Sequence, residues 1–83
     1  MPPEDDAVLV DARGHRCPVP TLRLRRALEP LGVGARVRLL ADDPMARIDV
    51  PHFAEAAGCR VIEGPAEGAR ELVFLIEKVT AQA

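Results

Sequence analysis

The spacing of apolar residues changes along this chain, and each change marks a new element. "AVLVDA", from Ala7 to Ala12, is a short Val- and Leu-rich run that stops at Gly14, as a strand does. In "CPVPTLRLRRALEPLG" the period lengthens. Leu24, Ala27, Leu28 and Leu31 fall at i, i+3, i+4 and i+7, one apolar stripe of a helix, while Arg23, Arg25, Arg26 and Glu29 lie mostly off it. Gly32 and Gly34 are expected to end that helix. "ARVRLLAD" then alternates Arg36 and Arg38 with Val37 and Leu39, the period of a strand with one buried face, ending near Ala41.

In "DDPMARIDVPHFAEAAG", Asp43 precedes Pro44 as an N-cap precedes a first helical residue. Pro51 interrupts the pattern and is expected to push Val50 out of helical geometry. The spacing therefore predicts a short turn, then a helix from about Pro51 to Ala57 with Gly58 as its stop. "CRVIE" reads as a third strand, "GPAEG" as a turn and "ELVFLIEKV" as a longer fourth strand. The order is βαβαββ. With no linker or repeat, it predicts an α+β fold, a two-layer sandwich in which two helices cover one face of a small mixed four-stranded sheet. The first βαβ unit should cross right-handed. Residues 1–6 read as a frayed start and 7–83 as a single domain, since 83 residues hardly suffice for two cores.

Composition narrows the function. The core must come from aliphatic residues because aromatic residues are 2% of the chain, and a net charge of −2 gives no global attraction to nucleic acid or membranes. The chain has no Ser, which excludes serine-nucleophile chemistry. The acidic "MPPEDD" is unlike a secretory signal, and "LVFLI" falls far short of the roughly 20 residues that span a bilayer. The expectation is a cytoplasmic protein with no membrane partner. Two cysteines outside any CxxC pair, in a reducing compartment, do not suggest a structural disulfide.

Cys17 stands where chemistry is usually found in a βαβ unit, after the first strand and before the first helix. The positive end of that helix, with Arg13, Arg16 and His15 nearby, should favour the thiolate. Pro18 and Pro20 remove two backbone donors from the turn but stiffen it, which suits an outward-facing sulfur. A thiolate of lowered basicity attacks another sulfur adequately and departs readily when displaced.

The stretch "DARGHRCPVPTLRLRRAL" resembles the DxxGxxCPxP signature of the TusA/SirA-like family of small sulfur-carrier proteins, and "ADDPMARIDVPHF" is similar to that family's region after the second strand. The resemblance implies that Cys17 bears a persulfide, that Pro18 and Pro20 frame it, and that Asp11 and Gly14 form the entry turn. It implies a cysteine desulfurase or other persulfide donor, a downstream acceptor protein, and no metal or organic cofactor. The destinations it implies are tRNA thiolation, molybdenum-cofactor supply or oxidative sulfur metabolism. Where family members often carry an arginine directly before the Asp of the second segment, this chain has Ile48 before Asp49, its arginine being Arg47.

Other readings compete. Cys59, at the start of a strand, reads as a packing residue, with a resolving thiol for Cys17 as the alternative. His15, Cys17 and Asp11 lack the paired spacing of zinc sites. Arg13, Arg16, Arg23, Arg25 and Arg26 have no stacking aromatics among them to suggest RNA binding, so they read as a solvated face that guides acidic partners. With Asp42, Asp43 and Arg47, the arginines of the helix form the expected partner surface, and Asp43 is also read as a cap. A small carrier that meets successive partners is expected to be a monomer. The runner-up function is a non-catalytic regulatory or interaction domain that docks through the arginine-rich helix.

Overall fold

A computed structural model describes residues 7–79. The expected frayed start, residues 1–6, lies outside them. The order is β1 (Val8–Asp11), α1 (Val19–Leu28), β2 (Arg36–Ala41), α2 (Ala46–Ala56), β3 (Cys59–Glu63) and β4 (Leu72–Lys78), the βαβαββ sequence expected. The sheet runs β1-β2-β4-β3, with β1 parallel to β2 and the other two pairs antiparallel, so it is mixed.

Alternation decides which face is covered. Val37, Leu39 and Ala41 of β2 and Leu72, Phe74 and Ile76 of β4 point to one side and form a single core with Leu24 and Leu28 of α1 and Ala46, Val50 and Ala54 of α2. Both helices therefore lie on that face. The opposite face carries Leu9, Arg38 and Leu75 in one cross-strand row and Arg36, Glu77 and Arg60 in another. Glu77 pairs with both arginines of its row, at 3.6 Å to Arg36 and 2.7 Å to Arg60.

Two helix boundaries differ from the sequence expectation. The first helix ends at Leu28, before the glycines, because Pro30 lacks the N–H that would continue the ladder. Its terminal carbonyls are satisfied from a distant strand: Lys78 Nζ donates to Leu28 O at 2.9 Å and to Leu31 O at 2.7 Å, and Lys78 is only 8% exposed. The last strand thus caps the first helix.

The second helix is longer than expected. It starts at Ala46 and runs through Pro51, with Val50 helical. A proline inside a helix costs about 3 kcal/mol. Burial of Val50 alone returns about 2 kcal/mol, and Ala46 and Ala54, one turn to either side, add to it. Tertiary packing overrides the local signal. Asp43 still tethers the helix start, its Oδ1 accepting from the Met45 N–H at 3.0 Å.

Candidate functional site

Three loops meet at the carboxyl ends of the parallel strands β1 and β2. The β1–α1 loop carries Cys17, one residue ahead of the helix cap Pro18, across a cis Cys17–Pro18 peptide. The loop is bound mainly through its backbone. The Gly14 N–H donates to both carboxylate oxygens of Asp42 at 3.0 Å each, and the Cys17 N–H donates to Asp43 Oδ2 at 2.8 Å. Gly14 has φ +84°, a left-handed conformation that a side chain would resist.

On the other side, Arg13 clamps Asp11. Its Nη2 and Nε reach the carboxylate at 2.8 and 2.9 Å, and its Nη1 reaches Glu71 of the β3–β4 connection at 3.2 Å. This guanidinium holds the Asp11 carboxyl down to about 2, with the Arg13 backbone N–H helping. Arg23 donates to Asp11 O at 3.2 Å. An open cleft of about 480 Å³ lies beside this loop, lined by Gly14, His15, Arg16, Asp42, Asp43 and Pro44.

The charge state of Cys17 departs from the sequence expectation. Its thiol is pushed up to about 11, first by partial burial, then by a hydrogen bond to the Asp49 carboxylate and by the negative charges of Asp49 and Asp43. Each of these causes favours the thiol over the thiolate. The basic residues counted along the sequence are turned elsewhere: Arg13 onto Asp11 and Glu71, while Arg16 acts on Asp43. The Cys17 N–H itself is committed to Asp43, whose carboxyl is lowered by the N–H groups of Met45 and Cys17.

The sulfur is not sealed in, being half-buried and packed on the edge of the core, as Cys59 is. Cys59 lies elsewhere, in a groove of about 400 Å³ with Arg25, Leu28, Glu29, Phe53 and Lys78. Leu28 and Glu29 mark the C-terminal end of α1, whereas Cys17 precedes its start. Ten helical residues span roughly 15 Å, beyond the Cα separation of about 7 Å that a disulfide tolerates. A resolving role for Cys59 within one chain is therefore excluded.

Of the expected partner surface, Arg25 and Arg26 are exposed, with Arg25 only 3.9 Å from Glu29 in a loose pair. Arg47 is engaged internally, its Nη2 donating to Ala66 O at 2.7 Å and Ala69 O at 3.3 Å. Sequence reasoning gave no site role to Asp49, Glu71 or the exposed apolar pair Met45 and Ile48, 51% and 65% accessible at the start of α2. An exposed Met and Ile beside the Asp43–Pro44 cap was the signal available. Among the described residues no cluster of three or more His, Cys, Asp or Glu could hold a metal ion, and no helix is long and apolar enough to cross a membrane.

The family model described as sulfurtransferase TusA matches residues 8–78. The chain belongs to the TusA family. Among curated TusA relatives, the sulfur carrier protein TusA of Pseudomonas aeruginosa is 33% identical over 73 residues, covering 88% of this chain and 91% of its own. That of Allochromatium vinosum is 35% identical over 69 residues, 83% of this chain and 90% of its own. A putative sulfur carrier protein of Archaeoglobus fulgidus is 41% identical over 54 residues, 65% and 70% of the two chains. The crystal structure of a SirA-like protein from Desulfitobacterium hafniense superposes with a TM-score of 0.75 at 28% identity, covering 88% of this chain and 99% of that one. The TusA match spans every strand and both helices, so it includes the Cys17 loop and the carboxylates that bind it.

Proposed function

We propose that this TusA-family chain carries sulfur as a persulfide on Cys17. The observation that supports it most is a half-buried free thiol presented on a carboxylate-bound loop where three connections meet, beside an open cleft. In loading, the deprotonated Cys17 sulfur attacks the terminal sulfur of a donor persulfide. A new S–S bond forms, the donor's S–S bond breaks, and the donor cysteine leaves as a thiolate. In unloading, an acceptor thiolate attacks the terminal sulfur and Cys17 departs as the thiolate. Electrons balance across each exchange, so no cofactor is needed.

The donor is a cysteine desulfurase and the acceptor a protein thiol in tRNA thiolation, molybdenum-cofactor supply or oxidative sulfur metabolism. Arg25 and Arg26 steer acidic partner surfaces, and Met45 and Ile48 offer them an exposed apolar contact at the start of α2, where Asp43 also binds the Cys17 N–H. A reducing cytoplasm suits chemistry that depends on free partner thiols. The test is intact-mass measurement after incubation with a cysteine desulfurase and cysteine. The wild-type chain should gain one sulfur atom and Cys17→Ala none; an equal gain on both rejects the assignment. If Cys17→Ala keeps full activity in cells while charge reversal at Arg25 and Arg26 removes it, the protein is an interaction domain instead.

A further inference from the structure

We propose that a second copy of this chain docks on the helix-free face of the sheet, giving a two-fold dimer that leaves both Cys17 loops open. The inference goes beyond sulfur carriage and does not depend on it. It departs from the monomer expected of a small carrier.

The helices cover only one of the sheet's two faces. On the other, Leu9 is 62% exposed, Leu40 and Val73 are half-buried with no layer above them, and Leu75 lies nearly flush at 6%. Apolar side chains in the middle of a bare sheet are withdrawn from water only when a second flat surface covers them. The chain is a slab of 31 × 29 × 18 Å, so its broad side offers about 900 Å², close to the ~800 Å² per partner of a stable interface. The area suffices for a dimer.

Charge and register select the occupant. Strand alternation, with the Arg13 clamp at one end, sets Arg13, Arg36, Arg38 and Arg60 against Asp11, Glu63, Glu71 and Glu77 on this face, a balanced set. Two such faces meet without net repulsion, whereas a strongly acidic surface would oppose the carboxylates. β2 and β4 flank the midline of the sheet, with Arg36 beside Glu77, Arg38 beside Leu75 and Leu40 beside Val73. A two-fold axis laid along that midline, between two stacked faces, exchanges the members of each pair. Arg36 then stands over Glu77 of the second copy, Leu40 over its Val73 and the Arg38 stem over its Leu75, each contact made twice. Among the described residues Arg38 pairs with no carboxylate of its own chain, and Glu77 of the second copy lies two residues along the facing strand from Leu75. Stacked sheets stand about 10 Å apart, a gap that two layers of side chains fill. Cys17 packs on the helix side, so both Cys17 loops emerge at the same end of the dimer, on opposite outer sides.

Sedimentation equilibrium of the full chain tests this. The wild type should pass from one-chain to two-chain mass as its concentration rises through the micromolar range; a one-chain mass up to about 1 mM overturns the proposal. Arg36→Glu sets carboxylate against carboxylate, and Glu77→Arg sets guanidinium against guanidinium. Each alone should raise the dimer dissociation constant by at least about tenfold. Mixed in equal amounts, the two variants should recover the two-chain mass, since both facing pairs then join opposite charges. A mixture of folded variants that stays at one-chain mass overturns the stated packing. Arg38→Glu breaks no ion pair within the chain and should also weaken the dimer; if either other variant fails to fold, an unchanged dissociation constant here overturns the proposal. A chain that stays single yet binds anionic vesicles or an acidic protein through this face gives it to another occupant and rejects the second copy.

Discussion

Cys17 and Cys59 are both half-buried, and burial raises the pKa of both thiols, yet charges of opposite sign stand beside them. Two carboxylates face Cys17, whereas the Lys78 ammonium lies near Cys59 and partly offsets the effect of burial there. By electrostatics alone, Cys59 is the better placed to ionise. What separates them is what surrounds each sulfur. Cys17 sits in a polar loop beside a cleft where three connections converge; Cys59 opens a strand in a groove whose lysine is committed to capping a helix. A resting pKa therefore does not by itself distinguish the thiol proposed to carry sulfur; its place in the fold does.

The comparison breaks most directly at the sulfurs. Cys17→Ala should abolish sulfur loading, while Cys59→Ala should keep most of it, read by intact mass after desulfurase treatment; loss in both variants would mean that the two thiols act together. Mild oxidation followed by non-reducing mass measurement should show no bridge within one chain.

A second, smaller effect lies at the Cys59 end. Lys78→Ala removes the ammonium donor from the Leu28 and Leu31 carbonyls, Leu28 O keeping only the Leu31 N–H at 3.0 Å, and should lower stability by about 2 kcal/mol, measured from the urea midpoint at constant slope. Sulfur loading per folded molecule should survive, because the lysine serves the far end of α1. Equal loss of loading would make the two regions one cooperative site.

The pH windows differ in direction. The folded-state pKa of Cys17 is raised, so its contribution to stability is full below the unfolded thiol value of about 8.5 and declines as pH climbs toward about 11. Asp49→Asn should flatten that alkaline decline in the thermal midpoint. The folded-state pKa of Asp11 is depressed, so its contribution is present above about 3.9 and lost as pH falls toward about 2. Asp11→Asn should remove this acid-side slope, the smallest effect of the series since the Arg13 pair is exposed to solvent. An unchanged acid limb would show that the clamp contributes nothing to folding.

Much of this protein was legible before any coordinates. Period-two alternation in 36–41 placed Val37 and Leu39 in the core, the four-residue spacing of Leu24 and Leu28 gave the buried stripe of α1, and the Asp11-to-Pro20 signature singled out Cys17. These are local matters: periodicity reports which side of an element is turned from water, and a motif marks a position on the chain. Less visible were Pro51 inside α2, Lys78 folded under α1 and Arg47 tied to the β3–β4 connection, each decided by groups distant in sequence.

The charge on the sulfur was the largest such case. Counting neighbours along the chain gave Arg13, His15 and Arg16 and suggested a thiolate, but Coulomb forces act through space. The fold brought Asp43, 26 residues away, onto the Cys17 N–H, and the negative charges of Asp49 and Asp43 raise the pKa of its thiol. Sequence alone singled out the Cys17 sulfur and set it between the first strand and the first helix, because both are read along the chain. Tertiary structure decided which charges act on its partly buried surroundings, because those come from segments distant in sequence.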